Sequence, residues 1–255
     1  MREFDLEATH VNLSGRNGLK EVPVFPNATI VNLSGCTSLR AVPEFPKAIN
    51  VNLTDCTGLK AVPKFLKATW VNLSGCTGLK EVPVFPNATI VNLSGCTALR
   101  AVPEFPKAIN VNLTDCTGLK AVPKFLKATG VDLSGCTGLK AVPEFPNATH
   151  VNLTGCTGLK AVPEFPEATG VDLSGCTTLI QKWTAEKLIP LLTAAGKSVS
   201  EVLATGCWEC HTWSNCPMHA VFGVGSVTEV PSEWRQDAGI FVRLFDSEQL
   251  EKPVV

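Results

Sequence analysis

The sequence predicts a repeat solenoid of the α/β type. A parallel β-sheet should line its concave face, extended or 3₁₀ chain its convex side, and a small mixed α+β cap its C-terminal end. Three observations carry this. From Val11 the chain repeats every 20 residues without insertion or deletion, with units starting at Val11, Val31, Val51, Val71, Val91, Val111, Val131, Val151 and Val171. Within a unit the apolar residues fall at positions 1, 3, 6, 9, 12, 15 and 18, as in Val131, Leu133, Cys136, Leu139, Val142, Phe145 and Ala148. Proline recurs at positions 13 and 16, where it fixes φ and removes an amide donor.

Each element follows from these spacings. Residues 1–10 form a short acidic lead without an apolar stretch of the kind a Sec signal needs. In each unit the Val-x-Leu step of two is β alternation. The steps of three suit extended, polyproline-like or 3₁₀ backbone, and the prolines exclude an α-helix. A unit is therefore one short strand, a turn and an extended return. Twenty ordered residues with seven buried side chains cannot offset their lost backbone entropy alone, so the units must stack. Residues 11–70 and 71–130 differ only at Arg16/Cys76, Asn17/Thr77, Ser38/Ala98 and Trp70/Gly130, a tandem duplication nested in the array. The expected division is 1–10, a solenoid over 11–180, and a capping module over 181–255.

The pattern A-x-x-V-x-L-x-x-C-x-x-L-x-x-V-P-x-F-P resembles a leucine-rich repeat, L-x-x-L-x-L-x-x-(N/C)-x-x-L, which implies a horseshoe. The 20-residue period and the recurring V-P-x-F-P are similar to the short repeats, bearing L-P-x-L-P, of bacterial type III and type IV effectors injected into host cells. The match spans about residues 8–180. Two departures stand out: Cys replaces Asn, and one extra residue separates strand and Leu, as in eukaryotic cysteine-bearing repeats. The resemblance implies a monomeric, non-catalytic interaction protein. It would be made in the bacterial cytoplasm, act in the host cytosol, and bind a host protein through its concave face. The large ubiquitin-ligase domain of some relatives needs more chain than the 75 residues after the array, so that activity is not expected.

In a solenoid every repeat position becomes a row. Position 6 gives Cys36, Cys56, Cys76, Cys96, Cys116, Cys136, Cys156 and Cys176. In-register neighbours hold parallel Cβ vectors about 4.8 Å apart, outside disulfide range, so a ladder of buried free thiols in a reducing compartment is expected. Asn12, Asn32, Asn52, Asn72, Asn92, Asn112 and Asn152 each begin N-L-S or N-L-T. In a secretory lumen these sequons would carry glycans over the sheet, which agrees with the same compartment. Positions 20, 2 and 4 flank the inward Val and Leu and should face out of the concave sheet. Position 4 is always Ser or Thr, and position 2 is Asn except for Asp132 and Asp172. Position 20 varies: His10, Ile30, Asn50, Trp70, Ile90, Asn110, Gly130, His150, Gly170. The candidate partner-binding residues are His10, Ile30, Asn50, Trp70, Ile90, Asn110 and His150, with Asn72 and Asn92 beside them. Trp70 is the typical interface anchor.

Charge excludes some partners and suggests others. A net charge of −1 and a pI near 6.4 argue against nucleic acid and membrane surfaces, and no apolar run approaches the roughly 20 residues of a membrane span. Residues 11–180 hold 15 Lys/Arg against 11 Asp/Glu. Lys60, Lys64, Lys67, Lys120, Lys124 and Lys127 concentrate in units three and six, either as a solvated convex edge or as a basic strip for an acidic partner.

After Leu179 the period stops. Residues 183–195 read as an amphipathic helix with Leu188, Leu191 and Leu192 on one face, Ser198-x-x-Glu201 as a capping box, and 221–230 and 239–245 as strands. Cys207, Cys210, Cys216 and His219 form C-x₂-C-x₅-C-x₂-H, four zinc-competent ligands. The competing reading makes Cys207 and Cys216 core residues, and no cofactor is then required. An enzymatic alternative places a thiol- or zinc-dependent activity, such as an unconventional ubiquitin ligase, in this module with Cys216 as nucleophile. No catalytic set is assigned. The tail from Phe245 is acidic then apolar, similar to the C-terminal signals of type IV effectors.

Overall fold

Positions 20, 1 and 2 of every unit form a three-residue strand in the computed structural model, which describes residues 4–163 and 165–176. The strands are β1 (His10–Asn12), β2 (Ile30–Asn32), β3 (Asn50–Asn52), β4 (Trp70–Asn72), β5 (Ile90–Asn92), β6 (Asn110–Asn112), β7 (Gly130–Asp132), β8 (His150–Asn152) and β9 (Gly170–Asp172). They lie side by side in sequence order as one parallel sheet. Each residue pairs with the residue 20 further on, as in Val51↔Val71 and Val71↔Val91. The chain is thus a parallel-strand solenoid of the leucine-rich-repeat type. The predicted cap over 181–255, with the final residues of the ninth unit, lies outside the described residues.

The steps of three in the apolar pattern have a hydrogen-bond origin. The amides of positions 6, 9 and 18 each donate to the carbonyl three residues back: Cys36 to Leu33 at 3.1 Å, Leu39 to Cys36 at 3.1 Å, Ala48 to Phe45 at 3.0 Å. These are successive tight turns that return the side chain to the same interior. The stretch between positions 10 and 15 is extended. The convex side therefore divides into turns and extended chain, and no continuous 3₁₀ helix forms among the described residues. The inter-coil ladder runs past the strands: Leu33 N–H reaches Asn52 O at 2.8 Å and Gly35 N–H reaches Thr54 O at 2.7 Å.

Position 5 needs a left-handed backbone for this last bond, with φ of 71° at Gly75 and Gly95. Glycine takes it without a Cβ clash; Asp55 and Asp115, of a type that tolerates this region, take it at φ 57°. A second left-handed site marks a sequence change. Proline at position 16 keeps the preceding residue extended. In units three and six Leu66 and Leu126 replace it, and Phe65 and Phe125 turn to φ 44° and 43°. The Leu66 and Leu126 carbonyls then accept the Asn87 and Asn147 side-chain amides, both at 2.7 Å.

All seven apolar rows are buried except at the ends of the array, where Leu19, Val162, Phe165 and Ala168 are partly buried, and no polar or charged side chain is buried among the described residues. The Phe rings from Phe45 to Phe165 form an unbroken stack with centroids 5.7–6.1 Å apart. Strands in a sheet stand about 4.8 Å apart. The coils therefore fan open away from the sheet, which puts the sheet on the inner curve. At the N-terminal end Phe4 meets Phe25 edge-on at 6.0 Å, covering the first coil.

The cysteine row is as expected: all eight are buried and free. Each Sγ donates to the carbonyl of the preceding coil's position-3 Leu, at 3.0–3.2 Å, as from Cys96 to Leu73 and from Cys176 to Leu153. From Leu33 to Leu153 that carbonyl also accepts the position-6 amide of its own coil, so both its lone pairs are used. Burial raises every one of these thiols. Cys56 and Cys156 are pushed up to about 11, and Cys96, Cys116 and Cys176 to about 12. Thiolate is the reactive form, so these eight side chains are predicted to resist iodoacetamide at neutral pH in the folded chain and to react together on unfolding, as peptide mapping will show. Above pH 9 the unfolded chain releases thiol protons that the folded chain keeps. Denaturant stability should therefore be independent of these groups below pH 9 and fall from there towards pH 11–12, by up to about 1.4 kcal/mol per pH unit for each thiol.

Candidate interaction surface

Position 20 begins each strand and points away from the core, because position 1 beside it points in. The structure puts His10, Ile30, Asn50, Trp70, Ile90, Asn110, Gly130, His150 and Gly170 in one register row across the sheet. Ile30 and Ile90 are each 39% exposed although nothing polar covers them. Trp70 is half-buried between its neighbours Asn50 and Ile90. Burying such side chains against a partner releases water from apolar area, the main favourable term in association.

Between β4 and β9 the face deepens into a depression of about 620 Å³. Its rim and floor include Trp70, Ile90, Asn92, Asn110, Gly130, Asp132, His150, Gly170 and Asp172. The cause is local. Gly130 and Gly170 flank His150 in the row with no side chains of their own, though Asn110 Oδ1 leans over Gly130, 2.7 Å from where its Cβ would stand, and His150 Cδ2 lies 3.4 Å from that place at Gly170. The structure thus gathers Trp70, Ile90, Asn92, Asn110 and His150 around one hollow. His10, Ile30, Asn50 and Asn72 lie outside it on the same face. The His150 ring is oriented by Thr149, whose hydroxyl lies 3.0 Å from Nδ1.

Position 2 has a structural duty that its exposure conceals. The side-chain oxygen of every residue in this row accepts the amide of position 4: Asn72 from Ser74 at 3.0 Å, Asn92 from Ser94 at 3.0 Å, Asp132 from Ser134 at 2.9 Å. This cap holds the chain as it leaves the strand for the left-handed residue at position 5. Asp serves as well as Asn because only an acceptor oxygen is needed. Asn72 and Asn92 are therefore committed through Oδ1 and offer a partner only their amide groups.

Two surface features stand outside the candidate residues drawn from the sequence. Asp132 and Asp172 put two carboxylates at the hollow, one to each side of Asn152, whose amide donates to Asp132 at 3.3 Å. Ile49 and Ile109, at position 19 where other units carry Thr, are 47% and 45% exposed. The signal for both was a departure from the consensus of their row. The lysines of units three and six are divided among three rows rather than gathered in one strip. Lys60, Lys64 and Lys67 occupy rows 10, 14 and 17, and Lys124 lies 3.7 Å from Glu144. Among the described residues no cluster of His, Cys, Asp or Glu is arranged to hold a metal ion. The zinc-competent set Cys207, Cys210, Cys216 and His219, and the nucleophile reading of Cys216, lie outside the described residues.

No family model matches the chain, and no curated protein matches it. Among solved structures the chain is similar to a leucine-rich repeat protein from Bacteroides ovatus ATCC 8483, at 16% identity and a TM-score of 0.29. The similarity covers 64% of this chain and 66% of that one, just under two-thirds of its length.

The cap at position 2 predicts the outcome of a substitution pair. Asn92→Ala leaves the Ser94 amide without its acceptor and should lower stability by about 1 kcal/mol. Asn92→Asp, which reproduces the arrangement at Asp132, should stay within about 0.5 kcal/mol of the parent in equilibrium denaturation.

Proposed function

We propose that this is a non-catalytic interaction protein that binds a partner protein through the inner face of its sheet, with Trp70 and Ile90 as anchors. The observation that carries the reading is the row at position 20. It sets half-buried Trp70 against exposed Ile90 at the edge of a 620 Å³ hollow, on strands held in register by their ladder. Large, preorganised side chains next to a recess are what gives protein interfaces most of their affinity. Eight raised thiols and seven N-L-S/T sequons facing the guest side favour action in a reducing compartment. With the resemblance of the short V-P-x-F-P repeats, this supports a bacterial effector that engages a host protein in the host cytosol.

The duplication supplies a built-in control. The two 60-residue copies present the same concave row except that Trp70 in the first is Gly130 in the second. Trp70→Gly makes the copies alike on this face. The test is affinity capture from host-cell lysate with the full chain, followed by calorimetric titration of the captured protein. Trp70→Gly and Ile90→Ala are each predicted to weaken binding by about 2 kcal/mol, roughly thirtyfold. Unchanged affinity in both variants would reject the concave anchor.

A further inference from the structure

Position 10 is basic in every unit from Lys20 to Lys160, Lys in six units and Arg at Arg40 and Arg100, and every member is exposed. This row lies on a different stretch of the coil from the concave sheet, where the chain begins its extended return. Its register is fixed by backbone pairing of its own. Lys120 N–H donates to Arg100 O at 3.1 Å, Lys160 N–H to Lys140 O at 2.9 Å, and Ala141 pairs with Ala161 in a parallel bridge. The Arg100 guanidinium leans on the next coil, 3.3 Å from Gly118 O, so its head lies along the row.

The second half of the row is unopposed. Glu21 and Glu81 stand next in sequence to Lys20 and Lys80, but Arg100, Lys120, Lys140 and Lys160 are each followed by exposed Ala. The one ion pair among the described residues, Lys124–Glu144, uses none of them. Four cations thus stand in line, one coil apart, between the roughly 4.8 Å of paired strands and the 5.7–6.1 Å of the Phe stack, and they border a smooth alanine strip. Like charges so placed repel one another, and the arrangement is relieved by an anion of matching pitch.

Pitch selects the class of anion. An α-helix returns one face to the same line every 5.4 Å or so, close to the coil spacing. An extended strand returns every 6.6 Å or so and drifts out of step. Duplex DNA winds its phosphates around a cylinder and meets a straight row only where a strand crosses it, and a net charge of −1 disfavours nucleic acid at long range. We propose that Arg100, Lys120, Lys140 and Lys160 form a second interaction surface, which takes the acidic face of a partner protein's α-helix, one carboxylate per turn.

The test uses the full chain and a fluorescently labelled alanine–glutamine helical peptide of about five turns, with glutamate every third or fourth residue as a single acidic stripe. A composition-matched isomer spreads the glutamates around the helix. By anisotropy at about 0.1 M salt, the striped peptide should bind about tenfold tighter than its isomer, and about tenfold tighter than it binds K120Q/K140Q/K160Q. Binding should vanish near 1 M salt, where the Debye length shrinks to about 3 Å. Trp70→Gly, which removes the concave anchor, and K64Q/K67Q, which removes cations from other rows, should both bind like the parent. Equal binding of the isomer, undiminished binding by the triple variant, or tighter binding of an oligothymidylate with the same sensitivity would overturn the proposal.

Discussion

No coil of this chain can hold its shape alone, and everything else follows from the register in which coils support one another. A 20-residue turn has seven apolar side chains pointing at its centre and two open faces. Those faces close only when the next coil sets Val over Val, Leu over Leu and Phe over Phe. The inter-coil ladder from position 19 to position 5, the Phe stack and the thiol-to-carbonyl bonds all join residues one coil apart. A shift of one residue would break them together. Register is thus enforced by hydrogen bonds, aromatic contacts and packing at once, which is why no insertion appears in the array.

This redundancy explains how much was legible in the sequence. Periodicity alone gave the parallel sheet, the seven buried rows, the free cysteine ladder and the outward row of His10, Ile30, Trp70 and His150, because in-register stacking converts sequence position into location. It did not give the duty of position 2. An exposed Asn reads as available, and only the 3.0 Å bond to the amide two residues on shows that Asn92 is a cap. Nor did it give the hollow. That depends on how the side chains of Asn110 and His150 settle over the bare backbone of Gly130 and Gly170, and a repeat pattern does not show which way a side chain leans. The replacement of Pro by Leu at position 16 was likewise silent: its effect falls on the backbone of Phe65 and Phe125, which stay buried either way.

Charge is sorted by row. The strand residues and position 4 carry Asp132 and Asp172 as their fixed charges and hold no Lys or Arg, whereas every described unit from the first to the eighth has a cation at position 10. The inner curve therefore favours apolar and weakly cationic surface, and the outer row favours anions. The two proposed surfaces would not compete for a partner, because the rows share no side chain and each has backbone pairing of its own.

The near-identity of residues 11–70 and 71–130 has a bearing on heredity. Each coil meets the same environment wherever it sits, so recombination between the two segments can delete or add three coils at a stroke, about 15 Å of sheet, and leave every remaining contact as it was. Lengths of this array in a population would then differ in steps of three coils, a ruler that grows by whole divisions.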